Sequence, residues 1–147
     1  MPFSMDTSKH FNCQLFHMKF YGNLNMDDYI KFKETFNNCL KREPFGVIFD
    51  LRDAITIPTK LAMEQVKYMK EYESDAKHKL IASCIIISKN WMKTLLDGLF
   101  MIKKPISPNL VSKTYDDGED FIKDYAELFS IQNKKKIYKQ TVCVQST

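Results

Sequence analysis

Two segments constrain the fold of this 147-residue chain more than any others. Phe45-Gly46-Val47-Ile48-Phe49-Asp50-Leu51-Arg52 carries a four-residue apolar run that stops abruptly at Asp50, and Leu80 to Ser88 reads LIASCIIIS, apolar and β-branched almost throughout. Such runs leave no polar face for water, so they belong to central strands buried on both sides. A strand that emerges in an acid marks the carboxyl edge of a sheet, where open α/β folds place their binding sites.

Helical periodicity fills the spaces between. Tyr29, Phe32, Phe36, Cys39 and Leu40 recur at helical spacing behind Asn25, an N-cap, with Asp27 and Asp28 set against the helix dipole. The spacing predicts a helix over 26–42, stopped by Pro44 and Gly46. Pro58 opens a second helix, expected to about 73 and facing inward through Ala62, Val66 and Met69. Asn90 is expected to cap a third, about 91–103, whose core face is Met92, Leu95, Leu96 and Leu99. Trp91, Phe100 and Met101 lie off that face, so this helix has more apolar surface than one sheet contact needs. A last strand is expected over 110–115. Asp117 then caps a fourth helix with Phe121, Ile122, Tyr125, Leu128 and Phe129 on its apolar side.

The beginning is less regular. Phe11, Cys13 and Leu15 alternate with polar neighbours, and Phe16, Met18 and Phe20 do so one step out of phase. The change of phase predicts a bulge or tight turn near residues 15 and 16, in one bent strand or two short ones. Residues 1–9 read as a loose N-terminus, 10–131 as the domain and 132–147 as a basic C-terminal tail. For that tail two readings stand: a solvated end, or a segment around Thr141 to Val144 that adds to a sheet edge. The alternation of strands and helices implies one α/β domain with a mixed, mostly parallel sheet of four or five strands.

Charge bounds the function. Residues 1–127 hold 18 basic and 18 acidic side chains, so the net charge of +4 sits in Lys134, Lys135, Lys136 and Lys139. A neutral body argues against specific nucleic-acid binding. Only Arg42 and Arg52 offer a guanidinium fork. Cys13, Cys39, Cys84 and Cys143 have no CxxC spacing and read as reduced thiols. With no secretory h-region and no apolar stretch of roughly 18 residues, a cytoplasmic protein without a membrane span is expected.

The order of elements and four landmarks (FYGNLNMDDYIKF, VIFDLRDA, IIIS and DDGEDFIKDY) resemble the STAS fold of anti-sigma-factor antagonist domains, in its STAS/SEC14-like branch. The resemblance spans about residues 10–130. It implies a non-catalytic module that docks protein partners or senses a ligand. In partner-switching members the helix after the VIFDL-like strand begins at a phosphorylated Ser within Asp-Ser-Ser-Gly. Here the stretch is Thr56-Ile57-Pro58-Thr59-Lys60, with Thr59 near the phosphoacceptor position and the Asp and Gly missing. A phosphate there would meet free N–H groups and Lys60; alternatively Thr56 or Thr59 caps the helix.

Enzymatic signatures are lacking. Gly22, Gly46, Gly98 and Gly118 are isolated, so no phosphate loop forms, and His10, His17 and His78 share no metal-ligand spacing. Ser83 and Cys84 lie inside a strand without a glycine frame. Asp50 and Asp53 are the best carboxylate pair, able to hold Mg²⁺ or to bridge Arg52 or Lys60. No catalytic residue, metal or cofactor is expected. The expected partner surface joins Asp50, Arg52, Asp53, Thr56, Thr59 and Lys60 to the flank of the third helix at Trp91 and Phe100. The alternative is a small apolar ligand held between the third helix and the sheet; a homo-oligomer is compatible with either.

Overall fold

The computed structural model describes residues 3–11 and 13–145, the side chains of 133–145 excepted. Five strands form one sheet in the order β1-β2-β3-β4-β5, where β1 is Phe3–His10, β2 Cys13–Asn23, β3 Phe45–Thr56, β4 Leu80–Ile86 and β5 Asn109–Ser112. Only the β1–β2 pair is antiparallel; the other three pairs are parallel. The helices are α1 (Met26–Leu40), α2 (Thr59–Lys79), α3 (Asn90–Ile102) and α4 (Tyr115–Gln145). The expected mixed, mostly parallel α/β sheet is therefore present.

Both faces are covered, which explains the central strands. Leu15, Ile48, Cys84 and Ile86 pack with Ile122 and Ala126 of α4. On the other face Phe16, Met18 and Val47 pack with Phe32 and Phe36 of α1 and Met69 of α2. Ile85 and Ile87 meet Met92 and Leu96 of α3 on that same side. Strand order follows chain order, so successive crossovers place α1, α2 and α3 together and leave α4 alone behind them.

Several expectations change. The phase shift near residues 15 and 16 is no bulge: β1 and β2 pair without interruption from Phe3↔Phe20 to His10↔Cys13. Cys13 and Leu15 serve α4 while Phe16 and Met18 serve α1, so two buried faces produced two phases. The break in register comes later, between β2 and β3 at Lys19/Tyr21 and Gly22/Asn23, where Gly22 has φ +76°. Residues 3–10 are not loose. They form an edge strand whose Phe3 and Met5 pack inward while most other side chains stay in water, a pattern too polar to read as a strand. Phe11 belongs to the turn, with φ 51°.

Asp50 does not end β3. The strand continues to Thr56, paired with β2 as far as Asn23↔Thr56, so the expected loop is ordered backbone. α2 runs on to Lys79, past the expected end near 73, with Lys77, His78 and Lys79 set against its negative end. Lys89, not Asn90, holds the cap position of α3, without a side-chain cap bond. Thr114, not Asp117, caps α4: its Oγ1 accepts the Asp117 N–H at 3.4 Å. The backbone of α4 stays helical to Gln145, beyond the expected end and through Thr141 to Val144, and past Gly118 no Gly or Pro interrupts it.

α4 lies close on the sheet because glycines let it. A Cβ built on Gly46 would stand 2.5 Å from Ile122 Cγ2 and 3.1 Å from Leu15 Cδ2. Gly46→Ala is therefore expected to overpack this contact and cost about 1–3 kcal/mol. Urea unfolding should show a lower midpoint at unchanged slope, and an unaltered midpoint would contradict the close approach.

Candidate functional site

Alternation along β3 puts Asp50 and Arg52 on the α4 side of the sheet. Asp50 is 7% exposed. Arg52 grips it bidentately, Nε to Oδ1 and Nη2 to Oδ2 both at 2.9 Å, and its backbone N–H donates to Oδ1 at 3.1 Å. The guanidinium carbon lies 5.6 Å from the centre of the Tyr115 ring. Tyr115 hydrogen-bonds His17 Nδ1, and Ser8 Oγ lies 2.8 Å from His17 Nε2. A polar chain thus runs from β1 through β2 and α4 to β3.

Burial by itself raises the Asp50 carboxyl, but the Arg52 hydrogen bonds and charge outweigh it and hold it below its usual 3.8. Burial lowers His17 below 6.5 against the pull of Glu119 and Asp6. It also pushes Tyr115 up to about 12. Both Asp50 oxygens are occupied, and Asp53 turns to Lys19 at 2.9 Å on the wet surface. The two carboxylates do not converge, and no group of three His, Cys, Asp or Glu side chains among the described residues is arranged to hold a metal ion.

The other expected residues scatter. Thr56 donates to Asn23 Oδ1 at 2.9 Å rather than capping α2. Thr59 and Lys60 are exposed at the start of α2, whose cap position is Pro58 and carries no side-chain cap bond. Trp91 is 37% exposed, and Met101, 88% exposed, stands in water. Phe100 turns inward and lines a cavity. Asp50 and Arg52, Thr59 and Lys60, and Phe100 therefore occupy three different places.

That cavity, of about 170 Å³, lies between the sheet and α1, α2 and α3. Phe32, Phe49, Met69, Met92, Leu96 and Phe100 form much of its wall. Most lining is apolar, and several of its polar groups are engaged. Tyr29 donates to Gln65 Oε1 at 2.8 Å, Ser83 donates to Asn109 Oδ1 at 2.7 Å, and Asp28 Oδ2 accepts the Asn25 N–H at 3.1 Å in a capping box. Burial drives the Tyr29 and Tyr72 hydroxyls far above their usual range, so both stay neutral. The helices around the cavity are tied to each other by polar contacts. Tyr68 of α2 bonds Asn37 and the Lys33 carbonyl of α1, and Lys103 after α3 pairs with Glu73 of α2 at 2.8 Å. Of the surplus apolar residues of α3 only Phe100 faces this cavity; the contribution of Tyr29, Phe49 and Gln65 depends on tertiary packing that periodicity does not carry.

No family model matches the chain, and no curated protein does. Among solved structures it resembles an uncharacterised protein of the DUF3478 family with a SpoIIAA-like fold from Shewanella loihica, at 11% identity and a TM-score of 0.62. The alignment covers 82% of this chain and 93% of that one. The fold is thus SpoIIAA-like, of the STAS type. No helix among the described residues is long and apolar enough to cross a membrane.

The Asp50–Arg52 pair has a defined pH signature. Because folding depresses the Asp50 carboxyl, the pair stabilises the fold above the unfolded value near 3.8, and that contribution drains away as pH falls through the lower folded value. Arg52→Ala leaves a buried carboxylate unpaired. With the Arg52 side chain 40% exposed, the loss at pH 7 should be a solvent-screened 1–2 kcal/mol or about that. Denaturation at pH 7 and pH 3 checks this: the gap between variant and parent should narrow at pH 3, and a constant gap would contradict it.

Proposed function

We propose that this protein is a non-catalytic STAS-like module that binds a small apolar molecule in the cavity under α3. The supporting observation is a half-open apolar pocket of about 170 Å³ between the sheet and α1, α2 and α3. Interiors normally fill such space, because voids forfeit dispersion contacts. A dry apolar cavity of roughly 150 Å³ is enough to bind benzene. At the edge expected from sequence to be part of a partner surface, Asp50 is closed in an ion pair with Arg52, which leaves the cavity as the better-supported binding place.

A thermal-shift series with ring-sized hydrophobes such as toluene tests the reading. At ten times the dissociation constant, binding to the folded state alone contributes about 1.4 kcal/mol, or roughly 3–4 °C in a domain of this size. Ala62→Leu, which projects extra carbon from the cavity wall, should abolish the shift while the domain stays folded. No shift with any ring-sized hydrophobe would contradict the proposal.

A second reading, protein docking, is favoured by exposed Ile55, Met63 and Trp91 among the surface residues near the start of α2 and α3. Thr59 and Lys60 stand in the same region, and Thr59 remains the proposed phosphoacceptor because its hydroxyl is accessible. Arg52 is a poor probe of that surface, since removing it also uncovers Asp50. The variant Thr59→Glu with Lys60→Glu should reduce partner capture from the native host at unchanged melting temperature. Undiminished capture removes this surface from consideration.

A further inference from the structure

The chemistry of the cavity wall restricts what can enter. Among the described lining residues there is no lysine, arginine or histidine. The one charged side chain on the wall is Asp28, itself buried, whose carboxylate is fixed by the Asn25 N–H at 3.1 Å. A ligand carboxylate or phosphate entering this space would lose its hydration, meet no countercharge and lie beside another anion. The hydroxyls point the same way. Tyr29 spends its proton on Gln65 and Ser83 spends its proton on Asn109, so those two retain lone pairs for a ligand, while the Tyr72 hydroxyl on the same wall is hydrogen-bonded with Gln65. Burial keeps Tyr29 protonated, which preserves that arrangement across the neutral pH range.

We infer that the ligand is a neutral, ring-sized hydrophobe carrying at most one hydrogen-bond donor, such as an aromatic or cyclic alcohol, and that Asp28 rejects anionic amphiphiles of the same shape, fatty-acid carboxylates included. This inference rests on the cavity being a ligand site. It adds the class of ligand and names the residue that selects it. The donor of the ligand meets the Tyr29 or Ser83 oxygen, and the ring lies against Phe32, Phe49 and Met92.

Benzyl alcohol and benzoate have nearly the same shape and differ in charge, so they separate the two claims. Both are titrated at pH 8 against protein with ¹³C-labelled methionine methyl groups. Met69 and Met92 line the cavity, and Met101 stands in solvent as an internal control. The expected result is saturable movement of Met69 and Met92 with benzyl alcohol, a still Met101, and a dissociation constant for benzoate at least tenfold higher. Asp28→Asn, with its fold verified by circular dichroism, should shrink that ratio at least threefold. If benzoate binds as well as the alcohol, the ligand class is overturned while the cavity remains a binding site. If neither compound moves Met69 or Met92, the cavity reading falls and this inference falls with it. An unchanged ratio in folded Asp28→Asn overturns the role given to Asp28; should that variant unfold, the tenfold ratio in the parent protein decides the ligand class.

Discussion

The contact between α4 and the centre of the sheet sets the terms for everything else in this domain. Gly46 and Gly118 remove two side chains from that interface, and Ile122 and Ala126 occupy the space above Leu15, Ile48 and Cys84. One face of the sheet is thereby sealed by a single helix. The opposite face is left to α1, α2 and α3, each entering from the carboxyl end of a parallel strand. Three helices over one twisted face are harder to pack without a gap than one helix is. Here the gap falls where α3 meets the other two.

Polar groups divide along the same boundary. On the α4 side, Asp50, Arg52, Tyr115 and His17 satisfy one another in a closed chain, with Asp50 fully committed to Arg52. That arrangement contributes local order and an acid-sensitive element of stability, and it engages both Asp50 oxygens. On the cavity side, hydroxyls and amides pair off along the wall and leave the interior apolar. The wall of that space carries one acidic side chain, Asp28, and no basic one among the described residues.

Much of the architecture is legible in the sequence because the central strands and amphipathic helices carry strong periodic signals. Val47, Ile48 and Ala82 to Ile87 can only be buried, and the residues Phe32, Phe36, Met69, Met92 and Leu96 mark inward faces that the structure confirms. A salt bridge from Asp50 or Asp53 to Arg52 or Lys60 was also readable as one option, and the structure pairs Asp50 with Arg52. Three things were not. The edge strand Phe3–His10 shows water most of its side chains, so its pattern resembles that of a loop. The two phases in Cys13 to Phe20 imitate a bulge when both faces of one strand are buried. The cavity is a property of packing between helices far apart in sequence: α3 announced surplus apolar surface, while Tyr29, Gln65 and Asp28 gave no local sign that they would share a wall with it.

Whether the space under α3 is open and dry is best tested by exposing crystals of the protein to xenon gas and measuring anomalous diffraction. Xenon enters apolar cavities of this size without needing any polar contact. One principal xenon site bounded by Phe32, Phe49, Met69 and Met92 is expected, lost in Ala62→Leu crystals. A cavity that takes up no xenon, with α3 closed onto the sheet, would contradict it.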